Sequence, residues 1–227
     1  MKPYAIEEAY EVVDAIEVGD PAELCSELGD LLFQVVLMAQ IAADDGKFDL
    51  NDVVNAISDK MEERHPHVFG DRVDMSPAEV LAAWEKGKAE RRGDNGILSG
   101  IPKALPALHK ARRMTDRAAG VGFEWPDVSG VWGKVDEELT ELREAADSGD
   151  KAAIRDELGD ALFTLVNVGR WYDVNPEDAL QHTNAKFARR FGYVEAQLGA
   201  RGVAMGDADL ATMDALWNEA KRLESGD

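Results

Sequence analysis

The sequence contains few of the residues that build disulfide or zinc frameworks. It has one cysteine, Cys25, and four histidines among 227 residues. A lone cysteine excludes an intramolecular disulfide and fits a reducing compartment, so we expect a cytoplasmic protein. His65 and His67 flank Pro66, but no further zinc ligands accompany them in the sequence. Any chemistry of this chain should therefore depend on other residue types.

Basic residues are scarce as well. The chain has 25 Lys and Arg against 45 Asp and Glu, a net charge of −20. Nucleic acids and anionic membranes are bound by basic surfaces, so we expect neither as a partner. The longest apolar run, from Leu31 to Ala43, is interrupted by Gln34 and Gln40 and looks too short to span a bilayer. A small anionic substrate held through metal ions stays compatible with this charge.

Extended-strand patterns and a Gly-rich phosphate loop are also lacking, whereas apolar residues recur with helical spacing. Asp20-Pro21 and Asn175-Pro176 each supply an N-cap residue followed by proline at the first helical position. We therefore predict an all-α fold. The predicted helices cover about 4–18, 21–43, 51–64, 77–92, 105–119, 128–147, 151–172, 176–198 and 209–224.

Two acidic pairs stand on either side of a turn at Ser148-Gly149-Asp150. Glu141 lies eight residues before Gly149 and Glu157 eight after it. Glu138 and Asp160 lie eleven residues before and after Gly149. A helical hairpin folded at Gly149 would bring these four carboxylates together, roughly 12 Å from the turn.

Clustered carboxylates repel one another, and some would be protonated at neutral pH without compensation. Mg²⁺ removes this repulsion, takes oxygen ligands and is commonly completed by substrate phosphates. A solvated acidic face is the alternative, but Leu139, Leu158 and Leu162 crowd the same helices and disfavour it. The pattern indicates a metal site.

The acidic pattern occurs twice, at a constant offset of 130 residues. A Lys-x-x-x-Arg pair and a Trp-x-x-x-Lys pair recur after it. We predict two copies of one helical domain, 1–92 and 103–227, joined by a linker at 93–102. The first copy holds Glu8, Glu11, Glu27, Asp30, Lys60, Arg64, Trp84 and Lys88, and the second holds Glu138, Glu141, Glu157, Asp160, Lys186, Arg190, Trp217 and Lys221.

The basic and aromatic residues suit a nucleoside polyphosphate. Lys186 and Arg190 can contact phosphate oxygens, and arginine can do so with two parallel hydrogen bonds. Trp217 can stack on a base or simply pack in the core. Taken singly, each residue has an ordinary structural explanation, and their value comes from recurring with the carboxylates.

Taken together, these motifs resemble the MazG family of nucleoside triphosphate pyrophosphohydrolases. The supporting segments include Glu27-Leu28-Gly29-Asp30, Arg64-His65-Pro66-His67 and Val121-Gly122-Phe123-Glu124-Trp125. The resemblance implies a tandem repeat of two MazG-like, four-helix-bundle-type domains and usually a homodimer. It implies conversion of NTP or dNTP and water to the monophosphate and pyrophosphate with Mg²⁺, for which Mn²⁺ can substitute. It also implies a role in cleansing the nucleotide pool.

Transferred residue by residue, the resemblance assigns metal binding to the second acidic quartet. By the same comparison, the nucleotide-contacting residues are Lys134, Lys186, Arg190, Trp217 and Lys221. Family members usually carry a Cys-Pro-Trp-Asp-type segment before the position of Tyr4, which this sequence lacks. We therefore expect the first site to be the weaker one, even if Glu8, Glu11, Glu27 and Asp30 bind metal with Lys60, Arg64, Trp84 and Lys88 nearby.

Two other classes of protein are compatible with parts of this pattern. A di-iron carboxylate bundle uses Glu-x-x-His pairs, and neither acidic hairpin contains histidine. A non-catalytic or regulatory nucleotide-binding protein would share the same residues, particularly in the first half. Release of pyrophosphate with and without Mg²⁺ separates that alternative from the enzyme.

Overall fold

The structure, a computed structural model, describes residues 1–69 and 96–225. The chain divides into two compact units, Met1–Arg91 and Arg92–Asp227. Within the described ranges, every regular element is a helix. The all-α prediction is therefore confirmed.

In the first unit, α1 (Lys2–Val18) and α2 (Pro21–Asp44) pack against each other as a hairpin. Gly19 ends α1 with φ of 77°, a left-handed conformation that favours glycine. Asp20 starts α2, because its side chain accepts a hydrogen bond from the Ala22 backbone N–H at 2.9 Å. The expected cap and Pro21 at the first helical position thus set the tight reversal.

In the described part of the first unit, α3 (Leu50–Arg64) and α4 (Pro66–Phe69) follow this hairpin. Asp49 and Asp52 form a reciprocal capping box that starts α3. His65 ends α3 as predicted, and Pro66 then begins a single further helical turn. The expected helix at 77–92 lies outside the described residues.

Helix α2 agrees with the predicted helix at 21–43 and begins ten residues before the apolar run from Leu31 to Ala43. It has 24 residues and a mean hydropathy of 1.4 over its most apolar 18-residue window, enough to cross a membrane by length and composition alone. Core helices of soluble proteins pass the same test, so this is weak support for a membrane span. Glu27 and Asp30 lie on the same helix.

The second unit begins with α5 (Ala107–Ala119), two residues later than expected because Pro106 occupies the cap position. It continues with α6 (Val128–Ser148) and α7 (Lys151–Trp171), which pack closely together. α8 (Pro176–Ala200), a 3₁₀ turn (Met205–Asp207) and α9 (Leu210–Ser225) complete it. Helix α5 packs on α7 and α8, and α9 packs on α8.

The α6–α7 hairpin repeats the construction of α1–α2. Gly149 ends α6 with φ of 70°, and Asp150 accepts from the Ala152 N–H at 2.8 Å. Val131, Val135 and Val166 are buried in the second unit. The helical content and the repeated hairpin confirm the tandem arrangement that the sequence predicted.

Candidate active site

The second hairpin brings three carboxylates together. Glu138 of α6 and Glu157 and Asp160 of α7 each place one carboxylate oxygen within 4.8 Å of the others. Hereafter these three residues are called the C-terminal cluster. The fourth predicted member, Glu141, lies exposed outside this group but close enough to raise the pKa of Glu157. The hairpin register predicted from Gly149 therefore assembles most of the quartet.

Glu138 is the buried member of the C-terminal cluster, at 4% exposure. Its Oε1 pairs with the Lys134 ammonium at 2.6 Å, and Lys134 also reaches Glu137 at 2.8 Å. Its Oε2 is buried without a hydrogen-bond partner among the described residues. Leaving such an atom unpaired costs about 1–3 kcal/mol, more for a charged group. A cation held between Glu138, Glu157 and Asp160 would supply the missing partner, so the residues present fit a metal ion.

The electrostatics of the cluster are those of crowded anions. Partial burial, and then the Glu141, Glu138 and Asp160 carboxylates, raise the pKa of Glu157. Hydrogen bonds to Glu137 and Glu138 raise the pKa of Lys134, which stays protonated at neutral pH. Lys134 pairs with the C-terminal cluster through Glu138, and its single positive charge does not balance three carboxylates.

The first hairpin also groups three carboxylates, but a different three. Glu8, Glu11 and Glu27 lie within 4.8 Å of one another, whereas Asp30 is exposed outside the group. Partial burial and the Glu8 and Glu27 carboxylates raise the pKa of Glu11. The two halves of the repeat therefore share acidic residues but differ in how they arrange them.

The surroundings of the two clusters differ at two corresponding positions. Tyr4 stands where the second copy has Lys134, so the ion pair to the buried glutamate has no counterpart at that position. Instead, the Gln34 amide donates to Glu8 Oε1 at 3.2 Å, and Gln34 is itself buried. Thr164 occupies the matching position of the second copy.

Of the predicted nucleotide-contacting residues of the second copy, Lys134 lies on α6, and the other four lie on α8 and α9. Arg190 is bound by Glu224 at 2.7 Å and lies over the Trp217 ring at 5.8 Å. The Phe187 ring packs against Trp217 at 5.1 Å between centroids. Lys186 lies one turn before Arg190 and is half-buried. Within residues 96–225, no hydrogen bond or ion pair joins Lys186 or Arg190 to the C-terminal cluster, and Arg190 is held by Glu224 and Trp217 instead.

The structure describes only some of the other residues that were predicted to contact the nucleotide. Lys60 is exposed on α3, and Lys221 is exposed on α9. Trp84, Lys88 and the side chain of Arg64 lie outside the described part of the chain.

A cavity of about 460 Å³ in the second unit was not anticipated from the sequence. Trp125, Phe163, Asn167 and Arg170 are among its lining residues. In the sequence, the segment around Glu124-Trp125 carries only a family resemblance and gives no sign of a pocket. A pocket of this kind joins residues far apart in sequence, and periodicity does not reveal it.

A family model and two curated relatives match this chain over most of its length. The MazG nucleotide pyrophosphohydrolase domain matches residues 1–69 and 133–194. The nucleoside triphosphate pyrophosphohydrolase of Escherichia coli (strain K12) is 47% identical over 229 residues, covering 98% of this chain and 86% of that protein. The nucleoside triphosphate pyrophosphohydrolase/pyrophosphatase MazG of Thermotoga maritima is 40% identical over 223 residues, covering 97% and 85%. Each matched domain segment contains one of the two acidic clusters.

Proposed function

This chain belongs to the MazG nucleotide pyrophosphohydrolase family and is a nucleoside triphosphate pyrophosphohydrolase, and we propose that the C-terminal cluster is its working site. The observation that carries this assignment is the buried, unpartnered Oε2 of Glu138 beside two further carboxylates. The resemblance deduced from the sequence is confirmed at the level of family and activity. The roles of individual residues are our proposal.

We assign metal binding to Glu138, Glu157 and Asp160, with Glu141 beside them. Mg²⁺ held there, or Mn²⁺ in its place, would neutralise phosphate charge and lower the pKa of a bound water. Lys134 holds Glu138 by Oε1, so the buried Oε2 is the oxygen without a hydrogen-bond partner among the described residues. The ion pair with Lys134 thus fixes one oxygen of the buried carboxylate and leaves the other for a cation.

We assign contacts with the triphosphate to Lys134, Lys186, Arg190 and Lys221. Their charge suits phosphate oxygens, and arginine adds directional hydrogen bonds. Glu224 and Trp217 fix the Arg190 guanidinium, which limits the side-chain entropy lost when a phosphate binds. Trp217 then acts mainly as a packing support for Arg190.

The bond cleaved is the α–β anhydride. A water oxygen attacks the α-phosphorus, the bond to the bridging oxygen breaks, pyrophosphate leaves, and the water gives up a proton. Chromatography of the products from ATP or dCTP tests this step. AMP or dCMP with pyrophosphate supports the proposal, whereas ADP or dCDP with phosphate contradicts it.

We propose that Glu8, Glu11 and Glu27 of the first hairpin form a weaker cation site with little turnover. Gln34 already donates to Glu8, and Tyr4 replaces the lysine that holds the buried glutamate of the second copy. Lys60 with Arg64, and Trp84 with Lys88, would contact any nucleotide bound there.

We also propose a homodimer that cleanses the nucleotide pool. Each acidic hairpin exposes large apolar side chains that a second helical hairpin would cover to complete a four-helix bundle. In α2 these include Leu28, Leu32 and Phe33, and in α7 they include Leu158, Leu162 and Leu165. Light scattering should give twice 24.8 kDa at micromolar concentration, and a stable monomer would contradict the dimer.

A further inference from the structure

The cavity of about 460 Å³ in the second unit has the size and lining of a small-molecule pocket. Its walls are largely apolar, with Met114, Val121, Phe123, Trp125 and Phe163 among them. It differs from the Phe187–Trp217 region, and no role assigned above uses it.

The cavity lies next to the C-terminal cluster along α7. Asp160, Thr164 and Asn167 are spaced i, i+4 and i+7, so they share one face of the helix. At ~1.5 Å per residue, Thr164 lies about 6 Å and Asn167 about 10 Å beyond Asp160 along the axis. Thr164 and Asn167 both line the cavity. A ribose could bridge this separation between a phosphate at the cluster and a base in the cavity.

The Asn167 side chain supplies the cavity with a hydrogen-bond donor. Asn167 is buried, and its Oδ1 accepts from Arg170 Nε at 2.7 Å. Because a guanidinium nitrogen only donates, this contact fixes the orientation of the amide. The Asn167 Nδ2 group, for which the described residues show no partner, is thereby left as a donor.

The strongest acceptor in the wall is already occupied. Glu124 Oε1 accepts from the Trp125 backbone N–H at 2.9 Å and from Trp171 Nε1 at 3.1 Å. Its Oε2 pairs with the Arg170 guanidinium. The Thr115 hydroxyl donates to the carbonyls of its own helix, and neutral hydroxyl oxygens are weaker acceptors than a carboxylate. The pocket therefore offers the Asn167 amide as a donor, while the side-chain acceptors that remain are weaker ones such as the Thr115 and Thr164 hydroxyl oxygens.

We propose that the cavity receives the base of the nucleotide and favours oxo bases over amino bases. This inference rests on the proposed function, because the triphosphate must lie at the C-terminal cluster. The Asn167 amide can donate to a base carbonyl. An exocyclic amino group placed there would lose its hydrogen bonds to water without gaining a good acceptor. A buried donor without an acceptor costs free energy, so amino bases should bind less tightly. The substrate class is then uracil- and hypoxanthine-containing triphosphates, the deaminated counterparts of cytosine and adenine nucleotides.

The test compares kcat/KM for ITP with ATP and for UTP with CTP, using the full chain at saturating Mg²⁺. We expect a preference for ITP and UTP of about fivefold or more, the effect of one hydrogen bond. Asn167→Asp keeps the acceptor for Arg170 but replaces the donor, so both ratios should fall to one or below. Asn51→Asp, an exposed change of the same chemistry in the first unit, should leave both ratios unchanged.

Each ratio is measured within one preparation, so a partly unfolded variant does not distort it. Competitive inhibition of the unmodified chain by inosine and adenosine adds a test without substitutions, and inosine should bind more tightly. Equal wild-type ratios, or Asn167→Asp ratios that match wild type, would overturn the base assignment while leaving the hydrolase intact. Failure to release pyrophosphate from any triphosphate would instead overturn the proposed function.

Discussion

Replacing Glu138 with glutamine should uncouple cation binding from folding. Glutamine keeps an acceptor for Lys134 Nζ, now 2.6 Å from Oε1, and places an NH₂ group where the unpartnered Oε2 lies. That amide can donate to the neighbouring carboxylates. In the presence of a chelator, the variant should therefore be as stable as wild type, or more stable, within about 1 kcal/mol. Addition of Mg²⁺ should stabilise the variant much less than it stabilises wild type.

The size of the effect follows from linkage. A cation present at about 100 times its Kd stabilises the wild-type fold by about 2.7 kcal/mol. For a chain of this size, that corresponds to a rise in Tm of roughly 5–10 °C. Glu138→Gln should lose most of this rise because it removes the buried ligand charge. Turnover should fall by about 10²-fold or more, since electrostatic stabilisation of the transition state depends on the same group.

Differential scanning calorimetry with EDTA and with Mg²⁺ measures the effect. Glu137→Gln is the matched control, because Glu137 is exposed, adjacent in sequence, and also paired with Lys134 at 2.8 Å. It should keep the full Mg²⁺ response. If Glu138→Gln retains the wild-type shift, Glu138 is not a ligand and the assignment of the site fails.

Three further predictions concern the working site, the titration of Glu157 and the packing at Gly130. Asp160→Asn should abolish most turnover, whereas Asp30→Asn, which changes the corresponding residue outside the first cluster, should leave substantial activity. The assay is kcat and KM at saturating Mg²⁺, and the reverse pattern would assign the working site to the first copy. Partial burial and neighbouring carboxylates raise the pKa of Glu157 in the folded state above its ordinary 4.5, so in EDTA its contribution to stability is complete below pH 4.5 and is lost as the pH rises through the folded-state pKa. Melting curves measured across this pH range should show the loss, and Glu157→Gln should reduce it. Gly130→Ala should lower the free energy of unfolding by about 1–3 kcal/mol, because the added Cβ would lie 2.3 Å from the Trp125 ring. Gly133→Ala on the same helix adds a Cβ with no atom within 4 Å, so a denaturant titration should show unchanged or higher stability.

Local signals in the sequence were sufficient to predict the two hairpins. Gly19 and Gly149 adopt the left-handed conformation that the turn requires, and Asp20 and Asp150 cap the helices that follow. These features depend on neighbouring residues, so they can be deduced without knowing the fold. With the helical period, they also predicted that four carboxylates come together, and Glu138, Glu157 and Asp160 do so whereas Glu141 lies outside the group. The domain boundary near 93–102 stays a prediction.

Only the tertiary structure decided which acidic residues are buried. Residues three apart on a helix differ by about 60° in direction, and the packing of α6 on α7 buries Glu138 while Glu141 stays exposed. The cavity depends even more on packing, because it joins the segment at Trp125 to Phe163 and Asn167 of α7. The sequence by itself thus determined the helices, the turns and the repeat, which follow from local backbone preferences. The unpartnered oxygen and the pocket arise from long-range packing, which side-chain spacing along one helix does not specify.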